Sequence, residues 1–179
     1  MAERADGKTW ANRGLFVLLA FVLVVADLVP LDLRPATWAG PDLLLAITLV
    51  WVARKPAYLS VYVIAAVFLL ADLLFMRPPG LWAALVVVLT EALRRRHSEF
   101  RNMPFLVEWG TIAGGVLMIT LANRMALFVV ASPRPPLVLT LSEMVATILV
   151  YPLVVAIAHF LFGIRRAAPG ETGSRGQLI

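Results

Sequence analysis

Charged side chains inside apolar segments are the residues of this sequence that could do chemistry. A charge at the centre of a bilayer costs roughly 2.5–3.5 kcal/mol on insertion scales, so such residues are often functional. The set comprises Asp27, Asp42, Asp72, Arg77, Arg124 and Glu143, each toward the outer end of its segment. Two interpretations follow. The set lines a polar cavity open to the outer face that holds a ligand or a partner's polar group, or it consists of interfacial charges that pair with one another and stay half solvated.

The sequence contains few residues that could bind a metal ion or act as a catalytic nucleophile. The chain has no cysteine, and its two histidines, His97 and His159, are too few for a histidine-rich metal site. It also lacks the HExxH motif, the Gly-x-Gly-Asp motif with paired aspartates and the Gly-x-Ser-x-Gly elbow. We therefore expect no catalytic residue, no cofactor and no metal, and a protein that is not an enzyme.

The composition identifies the solvent in which these charges sit. Of 179 residues, 61% are apolar and only 15% are charged, and the mean hydropathy is +0.87. Soluble domains are about 45–50% apolar and about 25% charged. The composition therefore excludes a soluble globular protein and predicts an all-α membrane protein. The net charge of +5 is explained by membrane topology, so we expect no nucleic-acid partner.

Six apolar segments can be distinguished between breaks in the chain. They cover residues 14–29, 41–53, 57–76, 81–93, 104–130 and 137–162. A spanning helix needs about 20 apolar residues, whereas the second and fourth segments have only 13 each. These two short segments can form either helices that span the membrane or helices that are re-entrant or buried.

The basic residues decide between these alternatives. If all six segments cross, twelve of the 16 lysine and arginine residues lie on the side of both termini and four on the other. Because cytoplasmic loops are enriched in these residues, we expect six spans and cytoplasmic termini. The tryptophans fall near segment ends, as expected at membrane interfaces; they are Trp10, Trp38, Trp51, Trp82 and Trp109.

The domain organisation follows from these spans. Residues 1–13 form a cytoplasmic N-terminal arm, residues 14–166 a six-helix transmembrane domain, and residues 167–179 a disordered cytoplasmic tail. No extramembrane domain is left to hold catalysis or to bind a nucleotide, so the chain can act only through helix faces, short loops or an internal cavity.

Three local patterns predict how the helices are held. Glu91 precedes Arg94 and Arg95 by three and four residues, which places them on one helix face as an ion pair at the cytoplasmic interface. We interpret Glu108 in the same way. Gly110 and Gly114 form a small-residue face, which lets another helix approach closely, either within the chain or from a partner. Pro152 should kink the sixth segment, with Tyr151 and Thr147 available to satisfy the freed backbone groups.

Short motifs at the segment ends resemble the bacterial rod shape-determining protein family MreD. Pro41-Asp42-Leu43-Leu44-Leu45 opens the second segment, and Arg54-Lys55-Pro56 ends it. Ala71-Asp72-Leu73-Leu74 and Pro79-Gly80-Leu81-Trp82-Ala83 flank the turn between the third and fourth segments. The resemblance covers about residues 14 to 164. It implies a fold similar to the substrate-binding subunits of energy-coupling-factor vitamin transporters, which have six helices and a ligand pocket near the outer face.

The resemblance also implies a function. Members of the family are non-enzymatic scaffold subunits of the complex that elongates the lateral peptidoglycan wall. They bind MreC, and through it connect to MreB filaments, to the transglycosylase RodA and to its partner transpeptidase. The implied location is the bacterial cytoplasmic membrane, also called the inner membrane. Membrane lipids and a second copy of the chain are further partners that the sequence leaves open. The alternative function is the substrate-binding subunit of a small-molecule transporter, which would use the acidic set as its pocket.

Overall fold

Each of the six apolar segments forms one helix. A computed structural model describes residues 2–29, 38–97 and 103–162, in which all the regular structure is helical. The helices are α1 (Ala2–Leu28), α2 (Leu43–Arg54), α3 (Val61–Leu74), α4 (Leu81–Arg95), α5 (Phe105–Val129) and α6 (Leu137–Phe162), with a 3₁₀ turn at Pro56–Tyr58 between α2 and α3. The predicted all-α fold is therefore confirmed.

Three of the helices are long and apolar enough to cross a membrane. These stretches are Trp10–Leu28 in α1, Phe105–Val129 in α5 and Leu137–Phe160 in α6. Helices α2 and α3 are apolar but shorter. Helix α1 begins at Ala2, so most of the N-terminal arm continues the first helix. The tail at residues 167–179 lies outside the described residues.

Helix α2 lies at the centre of the bundle. It contacts α1, α4 and α6, and nearly all of its residues from Leu44 to Arg54 are buried. Trp51 is fully buried and packs edge-to-face against Phe16 of α1, with 6.1 Å between ring centroids. The expectation of an interfacial Trp51 is therefore wrong. A ring on the central helix is covered by neighbouring helices, whereas Trp10 and Trp38 remain largely exposed.

Consecutive helices run in opposite directions, which creates two ends of the bundle. At one end the backbone N–H groups of Ala39 and Asp42 donate to the hydroxyls of Ser142 and Thr147, at 3.0 and 2.8 Å. At the other end Arg54 of α2 meets Glu108, close to the start of α5. We call the first the cavity end, formed by residues 38–42, 75–80 and 130–136, and the second the basic end, formed by residues 53–60, 94–97 and 103–108.

The turns at the cavity end have well-defined caps. Helices α3 and α5 both finish with a residue in the left-handed conformation, Met76 at φ 52° and Ala131 at φ 51°. The next backbone N–H groups, of Arg77 and Ser132, then reach back to the carbonyls of Asp72 and Leu127, at 2.9 and 3.0 Å. This hydrogen-bond pattern is the Schellman cap, which satisfies the last carbonyls of a helix. Prolines follow both caps and stop the helices from continuing.

Helix α6 continues through Pro152, and a side chain of α5 satisfies the backbone there. Proline lacks the N–H group that would bond to the carbonyl of Ile148, four residues earlier. The indole Nε1 of Trp109 donates to that carbonyl at 2.9 Å. The expectation that Tyr151 and Thr147 would serve Pro152 is wrong, because their hydroxyls donate to Glu108 and to the Glu143 carbonyl.

The contact between Trp109 and Ile148 predicts a stability effect that depends on Pro152. Trp109→Phe leaves the partly buried carbonyl of Ile148 without a donor, which should cost about 1–3 kcal/mol in free energy of unfolding. In a Pro152→Ala background, the backbone N–H at position 152 supplies that bond, and the same Trp109→Phe change should cost clearly less. Unfolding of the four proteins in detergent measures both costs, and equal costs in the two backgrounds would contradict the assignment.

Candidate functional site

A cavity of about 320 Å³ opens at the cavity end of the bundle. Its walls come from the start of α2, the α3–α4 turn, the second half of α5, the α5–α6 turn and the first half of α6. The polar lining residues are Asp42, Arg77, Thr120, Asn123, Ser132, Arg124, Thr140, Glu143 and Thr147. We call it the mixed-charge cavity. Four of the six charges singled out in the sequence, Asp42, Arg77, Arg124 and Glu143, therefore share one cavity.

Asp42 and Glu143 are joined through Thr147. One carboxylate oxygen of Asp42, Oδ1, accepts from the backbone N–H of Leu45 at 2.8 Å and so caps α2. The backbone N–H of Asp42 donates to Thr147 Oγ1, which donates in turn to the backbone carbonyl of Glu143, at 2.8 and 2.7 Å. The chain of bonds fixes the start of α2 against α6. The carboxylate of Glu143 has neither a hydrogen-bond nor an ion-pair partner among the described residues, and it lines the cavity.

Arg77 is the cation that these carboxylates share. Its guanidinium lies in electrostatic range of Asp27, Asp42 and Glu143. It also stacks over the ring of Phe75, with 5.1 Å from Cζ to the ring centroid. Arg77 is exposed and forms no ion pair within 4.0 Å with a described residue, so its attraction is spread over three acidic groups.

Arg124 holds the turn between α5 and α6. Its Nη1 donates to the carbonyl of Pro135 at 3.2 Å and to Thr140 Oγ1 at 2.9 Å. Both acceptors are neutral, so the guanidinium fixes the cavity wall rather than neutralising a carboxylate. By sequence position, Arg124 and Arg77 belong to the same set of charges near the outer ends of the segments. In the structure Arg77 lies near carboxylates, whereas Arg124 donates to neutral acceptors.

A second cavity of about 370 Å³ lies on the α1 side of the first. Asp27 lines it together with Gly40, Phe68 and Phe75. Three residues line both cavities: Asp42, Arg77 and Trp82. The exposed carboxylate of Asp27 therefore faces a different space from Glu143, although the two share Arg77 electrostatically.

Asp72 lines neither of these two cavities. It is fully buried, and its Oδ2 accepts from the backbone N–H groups of Gly80 and Ala83, both at 3.1 Å. Gly80 stands at the N-cap of α4 and has no side chain to cap that helix, so the acceptor comes from α3. Asp72 is therefore neither a cavity residue nor a half-solvated interfacial charge. The sequence signal that could have revealed its role is the glycine at a helix start.

The role of Asp72 predicts a stability defect. Asp72→Ala removes the acceptor of the backbone N–H groups of Gly80 and Ala83, and loss of a cap costs about 0.5–2 kcal/mol in free energy of unfolding. Asp72→Asn retains one acceptor oxygen, so its free energy of unfolding should lie between those of Asp72→Ala and the parent protein. Asp27→Ala is the matched control, since its carboxylate is exposed, and it should change stability by less than about 0.5 kcal/mol. Similar losses for Asp72→Ala and Asp27→Ala, measured by unfolding in detergent, would refute the capping role.

A buried ionic cluster near the basic end was not predicted as a unit. The Glu108 carboxylate oxygen Oε1 accepts from the Tyr151 hydroxyl at 2.9 Å and lies 3.4 Å from Arg54 Nη2. All three side chains are buried, and they join α2, α5 and α6. Sequence reasoning expected Glu108 in an interfacial pair and assigned Arg54 to membrane topology. The ion pair exists, but it lies inside the bundle, where breaking it would leave an uncompensated charge.

Basic side chains hold the turn between α2 and α3. Arg94 donates from Nη1 to the Pro56 carbonyl at 3.0 Å and from Nη2 to the Leu59 carbonyl at 2.7 Å. Arg13 donates to the Tyr58 carbonyl at 3.2 Å. The predicted pair of Glu91 with Arg94 is confirmed, at 2.8 Å. Arg94 therefore links α4 to the preceding turn in addition to pairing along its own helix.

The glycines of α5 do not pack as the sequence suggests. Gly110 and Gly114 are exposed, and a Cβ added at either would meet no described atom within 4 Å. Gly115 makes the close approach instead, because a Cβ there would lie 2.5 Å from Leu89 Cδ1 of α4. Of the two alternatives for Gly110 and Gly114, a close approach within the chain is not seen among the described residues, and that face of α5 is open to a partner there.

No protein-family model, curated protein or solved structure matches this chain. The resemblance to the MreD family therefore rests on the sequence motifs at the helix ends.

Proposed function

We propose that the protein is an integral-membrane scaffold subunit of the bacterial cell-wall elongation complex, of the MreD type, which binds MreC. The observation that carries this proposal is the open face of α5. Leu106, Gly110, Gly114, Leu117 and Met118 follow one another at helical spacing, and all are exposed. Small residues allow a second helix to approach closely in lipid, where van der Waals packing drives association.

The motifs that resemble the family support a structural role for this chain. Asp42 caps α2, and Asp72 caps α4 across the turn that contains Gly80. These carboxylates set the positions of helices α2 and α4. The proposed function needs such a rigid bundle, because a scaffold binds through the shape of its helix faces.

The proposal includes six membrane spans with both termini in the cytoplasm of an inner-membrane protein. Helix α2 is only about 18 Å long at 1.5 Å per residue. It nevertheless runs from the cavity end to the basic end, and α1, α4 and α6 surround it. Because neighbouring helices cover it, its length need not match the thickness of the hydrocarbon core. The basic end then faces the cytoplasm, in agreement with the excess of basic residues.

Single cysteines test this topology cleanly, because the natural chain has none. Ala57→Cys lies in the exposed α2–α3 turn and Pro133→Cys in the exposed α5–α6 turn. Six spans predict that a membrane-impermeant maleimide labels the second but not the first in intact spheroplasts. If α2 and α4 were re-entrant, both would be labelled. Pro133→Cys is labelled in either case and controls for expression and reactivity.

Recruitment of MreC tests the function itself. The double variant Gly110→Leu with Gly114→Leu fills the open face without meeting another described part of the chain. We expect tagged protein to recover MreC from mild-detergent extracts and the double variant to recover roughly tenfold less, at unchanged thermal stability. Ala66→Leu, a small-to-large change on the exposed surface of α3, should recover MreC normally. Equal recovery by the parent and the double variant would refute the α5 interface, and absence of MreC from every extract would refute the scaffold function.

A second candidate function is a substrate-binding subunit of a small-molecule transporter. The mixed-charge cavity favours it, because ligand sites are concave, largely apolar and supplied with a few convergent polar groups. The two functions differ in what accompanies the purified protein. Recovery of a transport ATPase pair without MreC would favour the second candidate. Conversion of rods into spheres on depletion would favour the first.

A further inference from the structure

Glu143 is one of the two carboxylates that line the mixed-charge cavity, and it has no hydrogen-bond or ion-pair partner among the described residues. Arg77 is in electrostatic range of Asp27, Asp42 and Glu143. Arg124 donates instead to the neutral acceptors Pro135 and Thr140. Two carboxylates and two guanidinium groups line the cavity, but neither guanidinium forms an ion pair within 4.0 Å with the Glu143 carboxylate. A partly buried carboxylate is costly unless it is paired, so this arrangement is complemented by an additional positive charge.

Apolar side chains form the other part of the cavity lining. They include Leu45, Leu81, Trp82, Val116 and Leu127. The volume of about 320 Å³ falls at the lower end of the range of about 300–1,000 Å³ for small-molecule sites. The space thus combines an acidic region with an apolar region that includes the aromatic ring of Trp82, a surface that attracts cations.

We propose that the mixed-charge cavity is a binding site for a small organic cation with an apolar body. Its ammonium group lies between the carboxylates of Asp42 and Glu143, and its apolar body packs against the α4 and α5 walls. The Asp42 carboxylate also caps α2 through Oδ1 and interacts with the indole of Trp82. Glu143 contributes its whole carboxylate.

A small molecule fits the geometry better than the side chain of a protein partner. The cavity is a recess between α2, α4, α5 and α6 rather than a groove along one helix face. It also lies on a different side of α5, because Val116, Thr120 and Asn123 line the cavity whereas Gly110, Gly114 and Met118 are exposed. The binding site is therefore independent of MreC recruitment, and either proposal can fail without the other.

Three probes of the same shape test the charge requirement. The full chain in lipid nanodiscs is titrated with 2-phenylethylammonium, neutral 2-phenylethanol and anionic 3-phenylpropionate, and binding is followed by ligand-detected NMR. Empty nanodiscs give the partitioning of each probe into lipid, which is subtracted. We expect saturable binding of the ammonium probe only. Equal binding of the neutral probe, tighter binding of the anion, or no saturable binding of any probe would overturn the proposal.

Two variants test the position of the site. Glu143→Gln should weaken binding of 2-phenylethylammonium roughly tenfold or more, because a charge-assisted contact is lost. Asp42→Asn should also weaken it while retaining an acceptor for the cap of α2, which guards against loss of the fold as the cause. Glu91→Gln removes a carboxylate at the opposite end and should bind the probe as the parent does. Unchanged affinity in both Glu143→Gln and Asp42→Asn would place the cation elsewhere and refute the assignment.

Discussion

Lipid offers no hydrogen-bond partners, so polar groups inside this bundle must be satisfied by the chain itself. The buried carboxylate of Asp72 replaces the missing cap of α4. The indole of Trp109 takes the place of the backbone bond that Pro152 cannot make. Glu108 joins the basic Arg54 to the hydroxyl of Tyr151 across three helices. Each contact links one helix to another, so satisfying the polar groups also determines which helices pack together.

The charged residues divide according to whether the fold has already used them. Asp72, Arg124 and Glu108 are committed to backbone groups or to a buried ion pair, and they stabilise the bundle. The Glu143 carboxylate has no such commitment among the described residues, and it lies at a cavity. Recruiting a group that already stabilises a helix end for binding would destabilise the fold. An uncommitted carboxylate, in contrast, can bind a cation at little cost to the stability of the fold.

The arrangement of long and short helices separates the proposed partner surface on α5 from the mixed-charge cavity. Helix α2 lies in the centre, while large parts of α1, α5 and α6 are exposed and apolar. Helix α5 therefore faces outward through Gly110 and Gly114, contacts α4 through Gly115, and lines the cavity with its second half. One helix thus carries both the proposed partner surface and a wall of the proposed ligand site. The two lie on different sides of the helix, because Gly110, Gly114 and Met118 are exposed whereas Val116, Thr120 and Asn123 line the cavity, which allows each to be altered alone.

The sequence by itself determined the number of helices in the described residues and most of their ends, because apolar runs and their Pro, Gly and Arg interruptions act locally; the start of α1 at Ala2 is the exception. It also determined the pair of Glu91 with Arg94, whose spacing is fixed within one helix. The tertiary structure decided which residues meet across helices. Gly114 and Gly115 are neighbours with the same side chain, yet only Gly115 faces α4. Asp42 and Asp72 occupy similar motifs, yet only Asp42 reaches a cavity. In an almost uniformly apolar chain, the rotation of most helices leaves little trace in their hydropathy pattern, so contacts between distant polar groups set it instead; α4 is the amphipathic exception.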